Sequence, residues 1–109
     1  MSTKHYNLFL DDIRELSYLS NVISPLDSSD WIVCRNSFEA LSCVINNGIP
    51  NFISFDHDLG GEDTAMVFVK KWVEEIGKKF PAFYIHSSNP IGKENLRSFI
   101  FSYNRSFEE

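Results

Sequence analysis

Short apolar runs recur along the chain, separated by longer stretches in which apolar and polar residues are mixed. Four of them, at residues 7–11, 31–35, 52–56 and 82–86, are rich in the β-branched and aromatic residues that favour strands. The third run, FISFD, has almost no polar interruption, which is typical of a strand buried on both faces. This pattern predicts four short strands.

Between these strands the apolar residues are spaced three and four apart, which predicts helices. One helix begins at Asn36 or Ser37 and ends at Asn47-Gly48, the clearest one spans residues 64–79, and the last begins at Asn89-Pro90. Residues 12–30 predict only a short helix followed by an irregular link. The expected buried faces are Phe38, Leu41, Val44 and Ile45 in the first helix, Met66, Val69, Trp72, Val73 and Ile76 in the second, and Leu96, Phe99, Ile100 and Tyr103 in the third.

Strands that alternate with helices specify an α/β fold, in which a parallel sheet has helices packed on its faces and right-handed crossovers. The length of 109 residues fits one domain over residues 1–109, and 43% apolar residues are enough for a substantial core. The aromatic part of this core is expected to comprise Phe9, Phe52, Phe55, Trp72, Phe83 and Tyr84.

Charge and composition narrow the classes of function. A net charge of −5 argues against a broad basic surface for duplex nucleic acid, although a small phosphate site is compatible with it. No apolar run approaches the roughly 20 residues that cross a bilayer, and residues 1–7 lack the apolar core of a signal peptide. We therefore expect a cytoplasmic protein without a membrane partner, with Cys34 and Cys43 as buried free thiols.

Acids and imidazoles follow three of the four predicted strands. In an open parallel sheet, ligands bind at the carboxyl ends of the strands, so these side chains converge if the three strands are neighbours. Clustered carboxylates repel one another unless a cation offsets their charge, and oxygen ligands suit Mg²⁺. The alternative for each acid is a helix cap or an Asx turn. The residues concerned are Asp11 and Asp12, then Asp56, His57 and Asp58, then His86, Ser87, Ser88 and Asn89.

Other polar groups at this edge have two interpretations each. His57 and His86 are either a general acid and base or structural hydrogen-bonding groups. The segment from Asn89 to Lys93 opens a helix, so that its free amides can receive an anion, or it is an ordinary cap. Arg14 and Arg35 follow the first two strands and are expected to form surface salt bridges rather than phosphate contacts.

The segments LFLDD, NFISFD and PAFYIHSS resemble the receiver domain of two-component signalling over about residues 7–100. The resemblance implies that paired acids and a later aspartate hold Mg²⁺, and that this aspartate accepts a phosphoryl group. Two departures weigh against phosphoryl switching by Asp56. His86 stands where a receiver has Ser or Thr, and the sequence ends before the lysine that follows a fifth strand.

The fuller pattern, with LFLDDIR, then Trp31 and Arg35, then SFDHDLG and IHSSNPIGKENL, resembles the cyclic-phosphate processing receiver domain family. This implies a flavodoxin-like three-layer sandwich with about four parallel strands in the order 2-1-3-4 and no fifth strand. It also implies processing of cyclic phosphates on RNA ends or small cyclic nucleotides. The implied residues are Asp11, Asp12 and Asp56 for Mg²⁺ or Mn²⁺, His57, Asp58 and His86 for catalysis, and Ser87, Asn89 and Asn95 for the phosphate. Lys93 is added to the phosphate group because its charge lies at the start of the last predicted helix.

The expected activity is that of a cyclic phosphodiester hydrolase. His57 or Asp58 would position or deprotonate a water, and His86 would protonate the departing ribose oxygen. A metal-free version would use the two histidines as acid and base. The competing hypotheses are a non-enzymatic receiver-like module that binds a nucleotide or protein partner, and a conventional phosphoacceptor at Asp56.

Overall fold

The computed structural model describes residues 5–21 and 30–108. Within them, four strands of four residues each form one parallel sheet in the order β2-β1-β3-β4, as predicted. The strands are β1 (Asn7–Leu10), β2 (Trp31–Cys34), β3 (Phe52–Phe55) and β4 (Ala82–Ile85). β1 and β3 are central, which explains the apolar sequence of β3, and β2 and β4 are the two edges.

In the part of the chain that the structure describes, three α-helices follow the strands, as the sequence predicts: α1 (Ser37–Asn47), α2 (Ala65–Glu75) and α3 (Pro90–Arg105). Asn36 and Asn89 cap α1 and α3, since each side-chain oxygen accepts from a backbone amide three residues ahead. α2 ends four residues before the predicted Lys79, because Gly77 adopts a left-handed φ of 67° that terminates the helix. The short helix expected within residues 12–30 is a 3₁₀ helix, Leu16–Asn21, and residues 22–29 lie outside the described residues.

The core confirms much of the predicted apolar pattern and corrects the face of α1. Phe9, Phe55 and Trp72 are fully buried, whereas Phe38 and Ile45 are 77% and 57% exposed. Of the predicted face, Val44 is buried and Leu41 is half-buried, and the other buried residues of α1 are Ala40 and Cys43. The spacing argument favoured large apolar residues, but small ones allow a helix to pack closely, and this determines which side of α1 faces inward.

Smaller differences occur on the other elements. In α2, Ala65 and Phe68 are buried together with the predicted Val69 and Trp72, while the predicted Met66, Val73 and Ile76 are half-buried. Tyr84 was expected in the core but is exposed, because β4 is an edge strand. Phe52, Phe83, Phe99 and Tyr103 are half-buried, and Leu96 and Ile100 are buried as predicted.

Cys34 and Cys43 are both buried thiols outside any disulfide, as expected. Among the described residues, no helix has the length and apolar character needed to span a membrane.

Strand register places three polar residues at one level of the sheet. Leu10 is aligned with Phe55, and Phe55 with Ile85, so the next residues are Asp11, Asp56 and His86. The hydrogen-bond ladder continues for one more step, with the amide of Asp56 donating to Leu10 O and that of His86 to Phe55 O, each at 2.8 Å. The three neighbouring strands therefore deliver these side chains to one edge, as the sequence predicts.

Candidate functional site

Asp11 is the buried anchor of this edge. It is fully buried, and its Oδ1 accepts from the amides of Ile13 (3.0 Å) and Arg14 (2.8 Å). Its Oδ2 accepts from Nη1 of Arg14 (3.1 Å) and contacts Nε2 of His86 (2.8 Å). Burial alone would raise the pKa of Asp11, but these hydrogen bonds outweigh burial and hold the pKa below 3.8. Asp11 is therefore an ionised carboxylate with a protein donor on every side.

His86 connects Asp11 to Ser54 on β3. Its Nδ1 lies 2.7 Å from Ser54 Oγ, and its ring stacks on Phe9 at 5.0 Å between centroids. Burial lowers the pKa of His86 further than the neighbouring Asp11 raises it, so the ring is neutral at physiological pH. Because ionised Asp11 only accepts, Nε2 is assigned as the protonated nitrogen and Ser54 as the donor to Nδ1.

Asp56 is the member of the acid group whose negative charge is disfavoured by its surroundings. Burial raises its pKa from 3.8 to about 6, the charges of Asp11, Asp12 and Asp58 raise it too, and Arg14 opposes them. The guanidinium of Arg14 lies 3.4 Å from Asp56 Oδ2 and 3.1 Å from Asp11 Oδ2. Arg14 therefore forms salt bridges, as expected, but inside the site rather than on an unrelated surface.

Three carboxylates can supply oxygens to one cation. One oxygen each from Asp11, Asp12 and Asp56 lies within 4.8 Å of the other two. Asp12 is half-buried, and Gly60 approaches its side chain: a Cβ at Gly60 would stand 3.5 Å from Asp12 Oδ2. Carboxylate oxygens at this separation fit a hard divalent ion. Asp12 and Asp56 can accept one directly, whereas Asp11 can join only after Arg14 moves from its Oδ2.

A second cluster lies beside the first, at the end of β3 and the start of α3. Nδ1 of His57 lies 3.1 Å from Asp58 Oδ1, and Asn89 Nδ2 donates to Asp58 Oδ2 at 3.3 Å. Hydrogen bonds from His57 and Asn89 lower the pKa of Asp58. The side chain of His57 is only 14% exposed, and that of Asp58 is 63% exposed. His57 thus has a carboxylate on one ring nitrogen.

Gly92 on α3 makes the space for His57. A Cβ at this position would lie 2.6 Å from Cγ of the His57 ring, closer than unbonded carbon atoms approach. The glycine in the segment NPIGKEN is therefore explained by the packing of a helix against the imidazole, rather than by a turn.

The loop between β3 and α2 is fixed at several points. The side chain of Leu59 is buried, and the Leu59 amide donates to Asp63 O. Asp63 accepts from the Ser37 amide (2.8 Å) and hydroxyl (2.6 Å) at the start of α1. Arg35 holds the loop that follows β1, because its Nη1 donates to the carbonyls of Asp11 and Arg14. Both loops that carry the acids are thus tied to the scaffold.

The four residues expected to hold phosphate surround the start of α3. Ser87 Oγ accepts from the Asn89 amide at 3.0 Å, and Asn89 Oδ1 accepts from the Gly92 amide at 2.9 Å. Lys93 is half-buried in the first turn, and Asn95 is exposed, three residues beyond Gly92 on the same side of the helix. Asn89 therefore caps the helix, the interpretation that the sequence left open beside anion binding, and Ser87 supports the cap residue through its amide.

Sequence reasoning missed three contributors: Arg14 as a cation within the acid group, Ser54 and Gly92. Ser54 carried a signal, because a lone hydroxyl inside a buried apolar strand needs a hydrogen-bond partner. The packing of Gly92 on His57 and the contact of Arg14 with Asp56 join segments far apart in sequence, which periodicity does not report.

Comparison with known proteins gives one finding. The family model described as the cyclic-phosphate processing Receiver domain matches residues 6–102, which include every residue of both clusters. No curated protein and no solved structure is significantly similar to the chain.

Proposed function

The chain belongs to the cyclic-phosphate processing receiver domain family, and we propose that it hydrolyses cyclic phosphodiesters with the help of Mg²⁺ or Mn²⁺. One observation carries the proposal: a cluster of three carboxylates adjoins a histidine that is oriented by another carboxylate. The first cluster suits a divalent ion and the second suits proton transfer. Hydrolysis of a phosphodiester uses both kinds of group.

The acid cluster defines where the ion would be held. Asp12 and Asp56 would bind the ion directly. Asp11 would also bind it once Arg14 moves away, and the Arg14 side chain can move because it is 28% exposed. When bound, a divalent ion supplies charge stabilisation for the phosphate and a more acidic bound water. His86 and Ser54 hold Asp11 in one orientation, because a ligand supported by a further hydrogen bond keeps its position.

His57 is the proposed base. Ionised Asp58 fixes the tautomer with the proton on Nδ1, which leaves the lone pair of Nε2 to accept a proton from water. Among the described residues, no group hydrogen-bonds to Nε2 of His57. Because an in-line displacement at phosphorus places the departing ribose oxygen opposite the attacking water, solvent rather than His57 protonates that oxygen in this scheme. His86 supports the site in this scheme, because donation from its ring to a substrate would require its bond to Asp11 or Ser54 to open.

The phosphate would meet the start of α3. The Ile91 amide, the Ser87 hydroxyl and the Lys93 side chain offer donors for its oxygens, because Pro90 has no N–H and the Gly92 and Lys93 amides already donate to Asn89. Asn95 lies on the same side of the helix. Asn89 contributes indirectly, because it bridges Asp58 and the Gly92 amide. It thereby couples the base to the phosphate-binding segment.

The test is a chromatographic screen of 2′,3′-cyclic and 3′,5′-cyclic nucleotides with Mg²⁺, Mn²⁺ or EDTA. We expect conversion to monophosphates with metal only, and losses of at least about 100-fold in Asp56→Asn and His57→Gln. Asp30→Asn and His5→Gln are matched controls, because both residues are exposed and lie outside the clusters. Absence of turnover under every condition contradicts the proposal. Turnover that survives EDTA instead selects the metal-free histidine mechanism.

A second candidate function is a binding module without turnover. Arg14 favours it, because its guanidinium already lies against Asp11 and Asp56 and offsets the charge that calls for a metal. Calorimetry separates the two: tight binding of an unchanged cyclic nucleotide, with no product after prolonged incubation, selects the module.

A mass increase of one phosphoryl group on Asp56 after incubation with a small phosphodonor would instead identify a phosphoacceptor.

A further inference from the structure

A groove of about 580 Å³ runs between the outer edge of β4 and helix α3. Its apolar surface includes Phe83 and Phe101, whose ring centroids are 5.7 Å apart, and Phe101 is 52% exposed. Lys79, Lys93 and Arg97 also line it, and none of the lining residues is acidic. In a chain of net charge −5, this is a local concentration of positive charge beside the exposed rings of Tyr84 and Phe101.

One end of the groove lies where β4 ends and α3 begins, next to the candidate site. Ile85, which lines the groove, directly precedes His86, and Lys93 directly follows Gly92, the residue packed on His57. A molecule that extends along the groove from Lys79 towards Lys93 therefore arrives at the proposed base and phosphate-binding segment. The groove therefore ends next to the site, where β4 ends and α3 begins.

We propose that this groove binds single-stranded RNA whose cyclic-phosphate end lies in the candidate site, an inference that rests on the proposed function and names its substrate class. Exposed aromatic rings stack with bases of any sequence, and lysine and arginine side chains neutralise the phosphates between them. The four residues of β4 span about 13 Å, which corresponds to roughly two to four nucleotides. The preferred substrate is thus an RNA end rather than a free cyclic mononucleotide.

Charge distinguishes this occupant from a second copy of the chain. Pairing two β4 edges would bring Lys93 and Arg97 of one copy towards the same residues of the other, and like charges in contact oppose association. An acidic peptide added as a strand beside β4 has suitable charge. It does not explain why the groove leads into a site built for a phosphate.

The test combines binding and kinetics in the full chain. The binding probe is fluorescently labelled oligouridylate of one to six nucleotides with a 3′-phosphate. We expect affinity to rise up to about four nucleotides and to fall with salt on a log–log slope of about −2, as expected for three cations on a single strand. Phe101→Ala should weaken binding of the hexamer by about 5- to 150-fold. Arg97→Ala should flatten the salt slope by about 0.7, and Lys70→Ala, on the exposed side of α2, should leave it unchanged.

The kinetic arm compares a pentanucleotide ending in 2′,3′-cyclic phosphate with 2′,3′-cyclic UMP. We expect kcat/KM to be at least tenfold higher for the pentanucleotide, and Arg97→Ala to reduce that ratio. If affinity does not depend on length and kcat/KM is equal for the two compounds, the groove does not bind RNA, while the proposed hydrolysis still stands. If RNA binds in the groove but neither compound is turned over, the result supports RNA binding by the groove and contradicts the proposed hydrolysis. Preferential binding of an acidic peptide, or dimerisation lost in Phe101→Ala, overturns the RNA assignment.

Discussion

Replacing Asp56 with asparagine should stabilise the fold while removing activity. The carboxyl group pays an electrostatic cost in the folded protein, because its side chain is only 10% exposed and its pKa rises from 3.8 to about 6. One pKa unit corresponds to about 1.4 kcal/mol, so the ionised group destabilises the fold by about 3 kcal/mol above pH 6. This value already includes the attraction of Arg14. Asparagine resembles the protonated carboxyl in shape and avoids that cost.

The pH dependence follows from the direction of the pKa shift. Between pH 3.8 and about 6, the folded protein holds a proton on Asp56 that the unfolded chain releases, so this group makes stability fall as pH rises. The wild type should lose this contribution across that window, and Asp56→Asn should not. The two proteins should therefore converge near pH 4 and differ by about 2 to 3 kcal/mol at pH 8.

Urea unfolding at pH 4 and pH 8, followed by circular dichroism, measures this difference. Asp30→Asn is the control, because Asp30 is exposed, and it should match the wild type at both pH values. Added Mg²⁺ should stabilise the wild type and not Asp56→Asn, since binding to the folded state alone adds to its stability. If Asp56→Asn is equally or less stable than wild type at pH 8, the account of Asp56 as a buried, charge-crowded group is wrong.

Three further predictions concern groups that support the site. Arg14→Met should increase Mg²⁺ affinity in calorimetry by about tenfold, because it removes the cation that competes for the carboxylates; unchanged or weaker affinity contradicts this role. Gly92→Ala should displace the His57 ring and lower kcat by at least about tenfold, with about 1 to 3 kcal/mol loss of stability, because the added Cβ overlaps ring atoms close to the backbone; full activity would show that the ring adapts. Ser54→Ala should cost about 1 to 3 kcal/mol in urea unfolding, because buried His86 loses its hydrogen-bond donor, and an effect below about 0.5 kcal/mol argues against this hydrogen bond.

The sequence predicted the strands and the edge that carries the acids because these features depend on local signals and general rules of chain geometry, whereas the strand order was implied by the family resemblance. Asn89 and Pro90 mark the start of α3 by their own conformational preferences. The convergence of Asp11, Asp56 and His86 follows from parallel strands that end at the same level. Neither inference requires knowledge of which side chains touch.

The parts that escaped prediction depend on contacts between distant segments. Sequence alone could not show that Arg14 lies between two aspartates, or that Gly92 packs on the ring of His57. The buried face of α1 was misjudged because packing selected Ala40 over the larger Phe38. In each case the deciding quantity is the fit between surfaces, which hydrophobic spacing does not contain.

The central claim, hydrolysis of a cyclic phosphate by these two clusters, is tested most directly by phosphorus NMR in water enriched in oxygen-18. The account predicts that wild-type protein with Mg²⁺ converts 2′,3′-cyclic phosphate into a monoester that carries one oxygen-18. The control His5→Gln should do the same, and His57→Gln should not. A cyclic phosphate that remains intact, or a monoester formed equally fast by His57→Gln, contradicts it.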